Sequence, residues 1–98
     1  MRVQNMRSDK GNVITNQFII EDGNKIVFQS YDSMIVTIDH IAETITLGKN
    51  WDYSKTTGKY RNKFLSQYFD IALGTKAGLE YWIEQGKIGN YYIYVEEE

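Results

Sequence analysis

The sequence predicts an α+β domain: an antiparallel β-meander of about five strands, then two helices packed on one sheet face and a C-terminal edge strand. Three observations predict it. Apolar residues alternate at period two as far as Leu47, they recur at helical spacing from Thr57 onward, and "YYIYV" returns to alternation near the end. A helix pair with one wide apolar arc needs a sheet face to bury it. With 98 residues there is chain for one core, so residues 1–98 are read as a single domain.

"RVQNM" is the first strand. In "VITNQFIIED" Ile14, Phe18 and Ile20 share one parity and Gln17 falls on the other. Asp22-Gly23 is a hairpin signal, because glycine takes positive φ at no steric cost. "KIVFQSY" sets Ile26 and Phe28 against Val27 and Gln29. After a turn near Asp32-Ser33, Met34, Val36 and Ile38 alternate with Ile35 and Thr37. "HIAE" leads into "TITLG", with Ile45 and Leu47 on one face. Tyr60, Phe64, Leu65, Tyr68, Phe69, Ile71 and Ala72 then cover about half a helical circumference at ~100° per residue. Ser54, Thr56 and Thr57 are candidate caps, and Gly74 is the expected stop. Thr75 can cap a second helix in which Leu79, Trp82 and Ile83 share a face and which ends at Gly86. In the last strand Tyr92 and Tyr94 share one parity, and Tyr91, Ile93 and Val95 the other.

Composition excludes several chemistries. Cysteine is absent, which removes disulfides, thiolate metal sites and cysteine nucleophiles together. A net charge of −2 provides no general attraction for polyanions. No apolar run reaches membrane-spanning length and "MRVQNMRSDKGN" has no signal-like core, so the expected location is the cytoplasm, with no membrane partner. The single histidine, His40, follows Asp39 in an expected turn, and adjacency alone does not make a catalytic dyad. There is no phosphate loop, dinucleotide turn or nucleophile elbow, and "DGNK" lacks the later ligands of a calcium loop. The chain is expected to be no enzyme, with no catalytic, cofactor or metal residues.

Two segments are candidates for binding. In "NWDYSKTTGKYRNKFL" Lys55, Lys59, Arg61 and Lys63 are interleaved with Tyr53, Tyr60 and Phe64, the alternation that single-strand binders use to follow phosphates and stack bases. Tyr60 and Phe64 fall on the core face, and Lys59 and Lys63 on the solvent face. Arg61 lies inside the apolar arc. There it either pairs with a carboxylate (Asp52 or Asp32) or with carbonyls at the sheet's end, orienting helix against sheet, or overhangs the core to reach an anion or a partner. At the other end, Tyr91, Tyr92, Tyr94, Glu96, Glu97 and Glu98 make a tyrosine-rich acidic surface suited to protein docking or to mimicry of phosphates, or else a solvated edge that resists strand pairing.

"NQFII", "FQSYDSMIV" and "WDYSKTTGKYRNKFL", in that order over residues 16–65, resemble a family of small proteins of unknown function encoded on phages, plasmids and integrative elements of low-GC Gram-positive bacteria. The chain departs from that pattern at "SQYFDIALG" and at its glutamate end. The resemblance carries no catalytic residue; it implies an accessory factor that binds and blocks host machinery. The expectation is therefore a non-enzymatic protein-binding module of a mobile element, most concretely an anti-CRISPR inhibitor of a host RNA-guided nuclease. One alternative is a nucleic-acid-binding accessory protein using the basic segment. A second is a homodimeric structural subunit joined through an exposed edge strand.

Overall fold

A computed structural model of the chain describes residues 1–69 and 76–96. Among them lies one seven-stranded sheet: β1 (Arg2–Arg7), β2 (Val13–Asp22), β3 (Lys25–Ser30), β4 (Ser33–Asp39), β5 (Thr44–Leu47), β6 (Lys87–Ile88) and β7 (Tyr91–Val95). Two helices, α1 (Lys55–Ser66) and α2 (Lys76–Gln85), stand between β5 and β6. The order across the sheet is β1-β2-β3-β4-β5-β7-β6, so the expected five-strand meander is followed by a strand added at its far side. β7 runs parallel to β5, and the two-residue β6 lies outside its first half.

The core fills one side of the sheet. Phe28, Val36, Ile38, Ile45 and Leu47 are fully buried there, against Phe64 and Leu65 of α1 and Leu79 of α2. The Phe28 and Phe64 rings stack at 5.8 Å between centroids. Ser54 caps α1 by accepting the Thr57 N–H at 3.1 Å.

Two strand irregularities redirect side chains. Between the pairs Asn5↔Phe18 and Arg7↔Val13, Met6 of β1 lies opposite residues 14–17 of β2. Asn16 absorbs this bulge at φ 65°, a conformation asparagine tolerates better than most residues. Parity flips across it: Ile14 contacts the core before the bulge, but Gln17 and Ile19 are the buried residues after it. Phe18 and Ile20, which share Ile14's parity in the sequence, therefore face the other way. The second irregularity, between Phe28 and Gln29, adds Ile35 to β4, and Ile35 and Val36 are both buried.

Helix α1 ends earlier than its periodicity suggests. Gln67 N–H bonds to Phe64 O, and Tyr68 N–H to Leu65 O, tightening the last turn eight residues before Gly74. Leaving the helix lets Tyr68 pack on Phe64 and His40, and Phe69 on Tyr91. Ile71, Ala72, Gly74 and Thr75 lie outside the described residues. Helix α2 ends as expected at Gly86, at φ 83°.

Candidate functional site

Both helices cover the same side of the sheet, and among the described residues nothing covers the other. The register defines this open face. One row runs Val3, Ile20, Val27, Thr37, Thr46, Tyr94, each residue paired with the next across six neighbouring strands. A second row runs Asp22, Lys25, Asp39, Thr44, Tyr92, Lys87, and a shorter third runs Asn5, Phe18, Gln29, Met34. Val27 is 6% exposed, yet neither it nor Phe18 nor Ile20 belongs to the core cluster on the helix side. An antiparallel sheet facing water normally alternates to polar side chains outward. Here the outward side of β2 and β3 presents Phe18, Ile20 and Val27, and Val3, Met34, Tyr92 and Tyr94 are each more than half exposed.

The tyrosine and glutamate end divides between the two sides. Tyr92 and Tyr94 stand on the open face, 55% and 56% exposed, with exposed Glu96 just beyond. Tyr91 turns to the helix side, where its hydroxyl is 2.8 Å from His40 Nδ1 and its ring meets Phe69 edge-on. Glu97 and Glu98 lie outside the described residues.

The basic segment is dispersed rather than gathered. Arg61 is 1% exposed: Nη1 donates to the Trp51 carbonyl at 2.7 Å, while Nε and Nη2 both donate to Asn62 Oδ1. The guanidinium sits 5.2 Å from the Trp51 ring centroid and 3.7 Å from Asp52. Of the two expected carboxylates, Asp52 is the partner. It also holds Lys76, the first residue of α2, at 2.5 Å, so one aspartate joins the loop before α1 to both helices. Burial pushes the Arg61 pKa below its usual value against the opposing pull of Asp52, and the contact with Asp52 raises that of Lys76. Lys63 donates to the Arg7 carbonyl at 2.8 Å and reaches Asp9 at 3.3 Å, pinning the β1–β2 loop to α1. Lys55 and Lys59 remain exposed, the latter 5.3 Å from the Tyr60 ring.

A groove of about 500 Å³ opens beside the start of α1, lined by Tyr31, Asp32, Ser33, Asn50, Tyr53 and Thr57 among others. Its floor contains a chain of hydroxyls, Ser30 Oγ to Thr57 Oγ1 to Ser54 Oγ, each link 3.2 Å. The hydroxyls satisfy one another, and the lining has a carboxylate and no cation. Among the described residues no three of His, Cys, Asp or Glu converge, and no helix is long and apolar enough to cross a membrane.

Asp39 locks the turn before β5. Its Oδ1 accepts from Asn24 Nδ2 and from the Ile41 and Ala42 N–H groups at 2.7–3.0 Å, and these bonds, Ala42's foremost, hold its pKa below the ordinary 3.8. A depressed acid pKa contributes stability above the unfolded value, and the contribution is lost as pH falls through the folded one. The stability gap between the wild type and Asp39→Asn, which keeps the acceptor but not the charge, is expected to be present near neutrality. It should begin to shrink below about pH 4 and close as pH falls further through the lowered folded pKa, in thermal melts run as a pH series.

The open apolar rows escape a reading of the sequence by parity. Unbroken alternation places Phe18 and Ile20 with Ile14; only the bulge at Asn16 separates them, and an Asn-Gln dipeptide is a faint signal for a bulge. In comparison with known proteins, the model of a family of unknown function, DUF8033, matches residues 1–80. No curated protein and no solved structure matches the chain.

Proposed function

The chain belongs to DUF8033, a family of unknown function, and from that premise we propose that it is a non-enzymatic protein-binding module docking through its open sheet face. The observation that carries the reading is the six-strand row from Val3 to Tyr94, which has no full charge and is bordered by Tyr92 and Glu96. Aromatic side chains on a rigid sheet are well suited to interfaces, because they bring large contact areas at small entropic cost. The side chains a catalytic reading would turn to are already engaged: His40 with Tyr91, and Arg61 with Trp51, Asp52 and Asn62.

In its most concrete form the chain is a phage or mobile-element product and the partner a host defence protein, such as a CRISPR RNA-guided nuclease that the docked module inhibits. That form rests on the resemblance of "NQFII", "FQSYDSMIV" and "WDYSKTTGKYRNKFL" to proteins of mobile elements. The nucleic-acid alternative has less support, since only Lys55 and Lys59 of its four cations are left free. Two neutralised phosphates correspond to a log–log salt slope of only about −1.4 on a single strand.

The test is capture of a stoichiometric partner by tagged protein from nuclease-treated lysate of cells expressing an RNA-guided nuclease, eluted in a salt series. The expected result is that one protein stays bound and is lost from the Tyr92→Ala/Tyr94→Ala double variant. Capture that disappears with the nucleic acid, or survives the double variant unchanged, would overturn docking through this face.

A further inference from the structure

We infer that the open sheet face is also self-complementary, so that the free chain forms a two-fold dimer by stacking this face on that of a second copy. The inference rests on the open face being a docking surface and names an occupant for it. A two-fold axis lying in the interface, along the strands and between β3 and β4, sets β3 over β4, β2 over β5 and β1 over β7 of the second copy. All six strands of the central row are then covered. Val27 meets Thr37, Ile20 meets Thr46 and Val3 meets Tyr94, each contact made twice, as an isologous interface requires.

The charges agree with this axis. The central row has no ionised side chain, so two identical rows meet without repulsion. In the neighbouring row Lys25 and Asp39 are cross-strand partners, close enough for the lysine to lower the aspartate's pKa. The same axis lays Lys25 of one copy over Asp39 of the other, giving an alternating square of two lysines and two aspartates. Shifting the axis onto β4 sets Asp39 over Asp39 and lays β1 over the two-residue β6, so the first arrangement has the better charge pairing and keeps all six residues of the central row covered.

Size sets the strength. Six strands at ~4.8 Å spacing span about 24 Å, and three rows of alternate residues span about 14 Å, a projected patch of about 340 Å² before side-chain relief is counted. A standard interface buries about 800 Å² per partner, so this contact belongs to the small, transient class. A dimer that forms with rising concentration is expected, not an obligate one.

The experiment is sedimentation velocity on the full chain from low micromolar to millimolar concentration, with Thr37→Asp and Lys25→Glu alongside. Far-UV circular dichroism checks that each variant keeps its fold. Thr37 is half-buried beside the axis and Lys25 is exposed, so the second variant stays informative if the first is destabilised. The wild-type mass should rise from 11.5 kDa toward twice that value. Thr37→Asp should stay monomeric, and Lys25→Glu should need roughly tenfold more protein to dimerise. A wild type that remains at 11.5 kDa throughout, or a dimer indifferent to both changes as pairing along the β1 edge would be, overturns the inference. A monomer that still captures its protein partner through Tyr92 and Tyr94 refutes the dimer alone. Loss of capture with the dimer intact refutes the docking module alone.

Discussion

Gly48→Ala is expected to cost more than about 3 kcal/mol, enough to leave much of the chain unfolded at 37 °C. Gly48 is buried at the end of β5, and its N–H bonds to the Ile35 carbonyl at 2.8 Å. A Cβ there would stand 2.1 Å from the Met34 carbonyl oxygen and 3.2 Å from its carbon. Those are backbone atoms, so no rotamer change relieves the overlap. Either β4 or β5 must move, and β4 is held on both sides by its neighbours and bulged at Ile35. Thermal unfolding should shift down by at least about 12 °C, at about 4 °C or more per kcal/mol for a domain of this size. Gly23→Ala is a useful contrast: nothing lies within 4 Å of its Cβ position, and the cost there is that of a positive φ, about 1 kcal/mol. Equal melting temperatures for the two variants would contradict the steric account.

Arg61→Ala is expected to destabilise by about 2–4 kcal/mol, through lost charge-assisted hydrogen bonds and the cavity left by a fully buried side chain. The loss combines the carbonyl of Trp51 left without its donor, the ring of Trp51 left without the guanidinium, and a void in the core beneath α1. Arg61→Lys should recover little, because an ammonium cannot span Trp51 O and Asn62 Oδ1 as the planar guanidinium does. Asp52→Asn should cost less, about 1 kcal/mol, since Asp52 is 36% exposed, and solvent screens its 3.7 Å contact with Arg61. Urea denaturation of the three variants ranks them directly. An Arg61→Ala midpoint close to the wild type's would mean that the guanidinium is dispensable, reopening its use as a contact residue.

Much of this molecule is visible in short stretches of sequence. Alternation in "KIVFQS" and "TITL", the Asp22-Gly23 hairpin, the Ser54 cap and the Gly86 stop each reflect a preference confined to a few neighbouring residues, and each stands where those residues place it. The position of Arg61 inside an apolar arc left two readings, a paired cation or a contact residue, and only its burial against the Trp51 carbonyl decides for the first. Its choice of Asp52 over Asp32 was not legible, because it depends on how the Trp51 loop folds back over α1.

The candidate site was only partly legible for a related reason. Tyr92 and Tyr94 are exposed on the side their parity assigns, but Tyr91, grouped with them by composition, is taken by His40 and Phe69. Val27 stands opposite Phe28 as its parity assigns, but Phe18 and Ile20 were hidden, since the bulge at Asn16 inverts their parity relative to Ile14.

By itself, then, the sequence determined the α+β class and the type and order of every element except the two-residue β6, because periodicity and capping are local energetics. The tertiary structure alone decided which sheet face is covered, where α1 stops, and which cations remain free. Those outcomes depend on side chains distant in sequence competing for the same buried space: Tyr68 and Phe69 leave the helix to reach His40 and Tyr91, and Lys63 bends to the Arg7 carbonyl. Phe28, Val36 and Ile38 draw both helices to one side of the sheet, and among the described residues the other side is left uncovered.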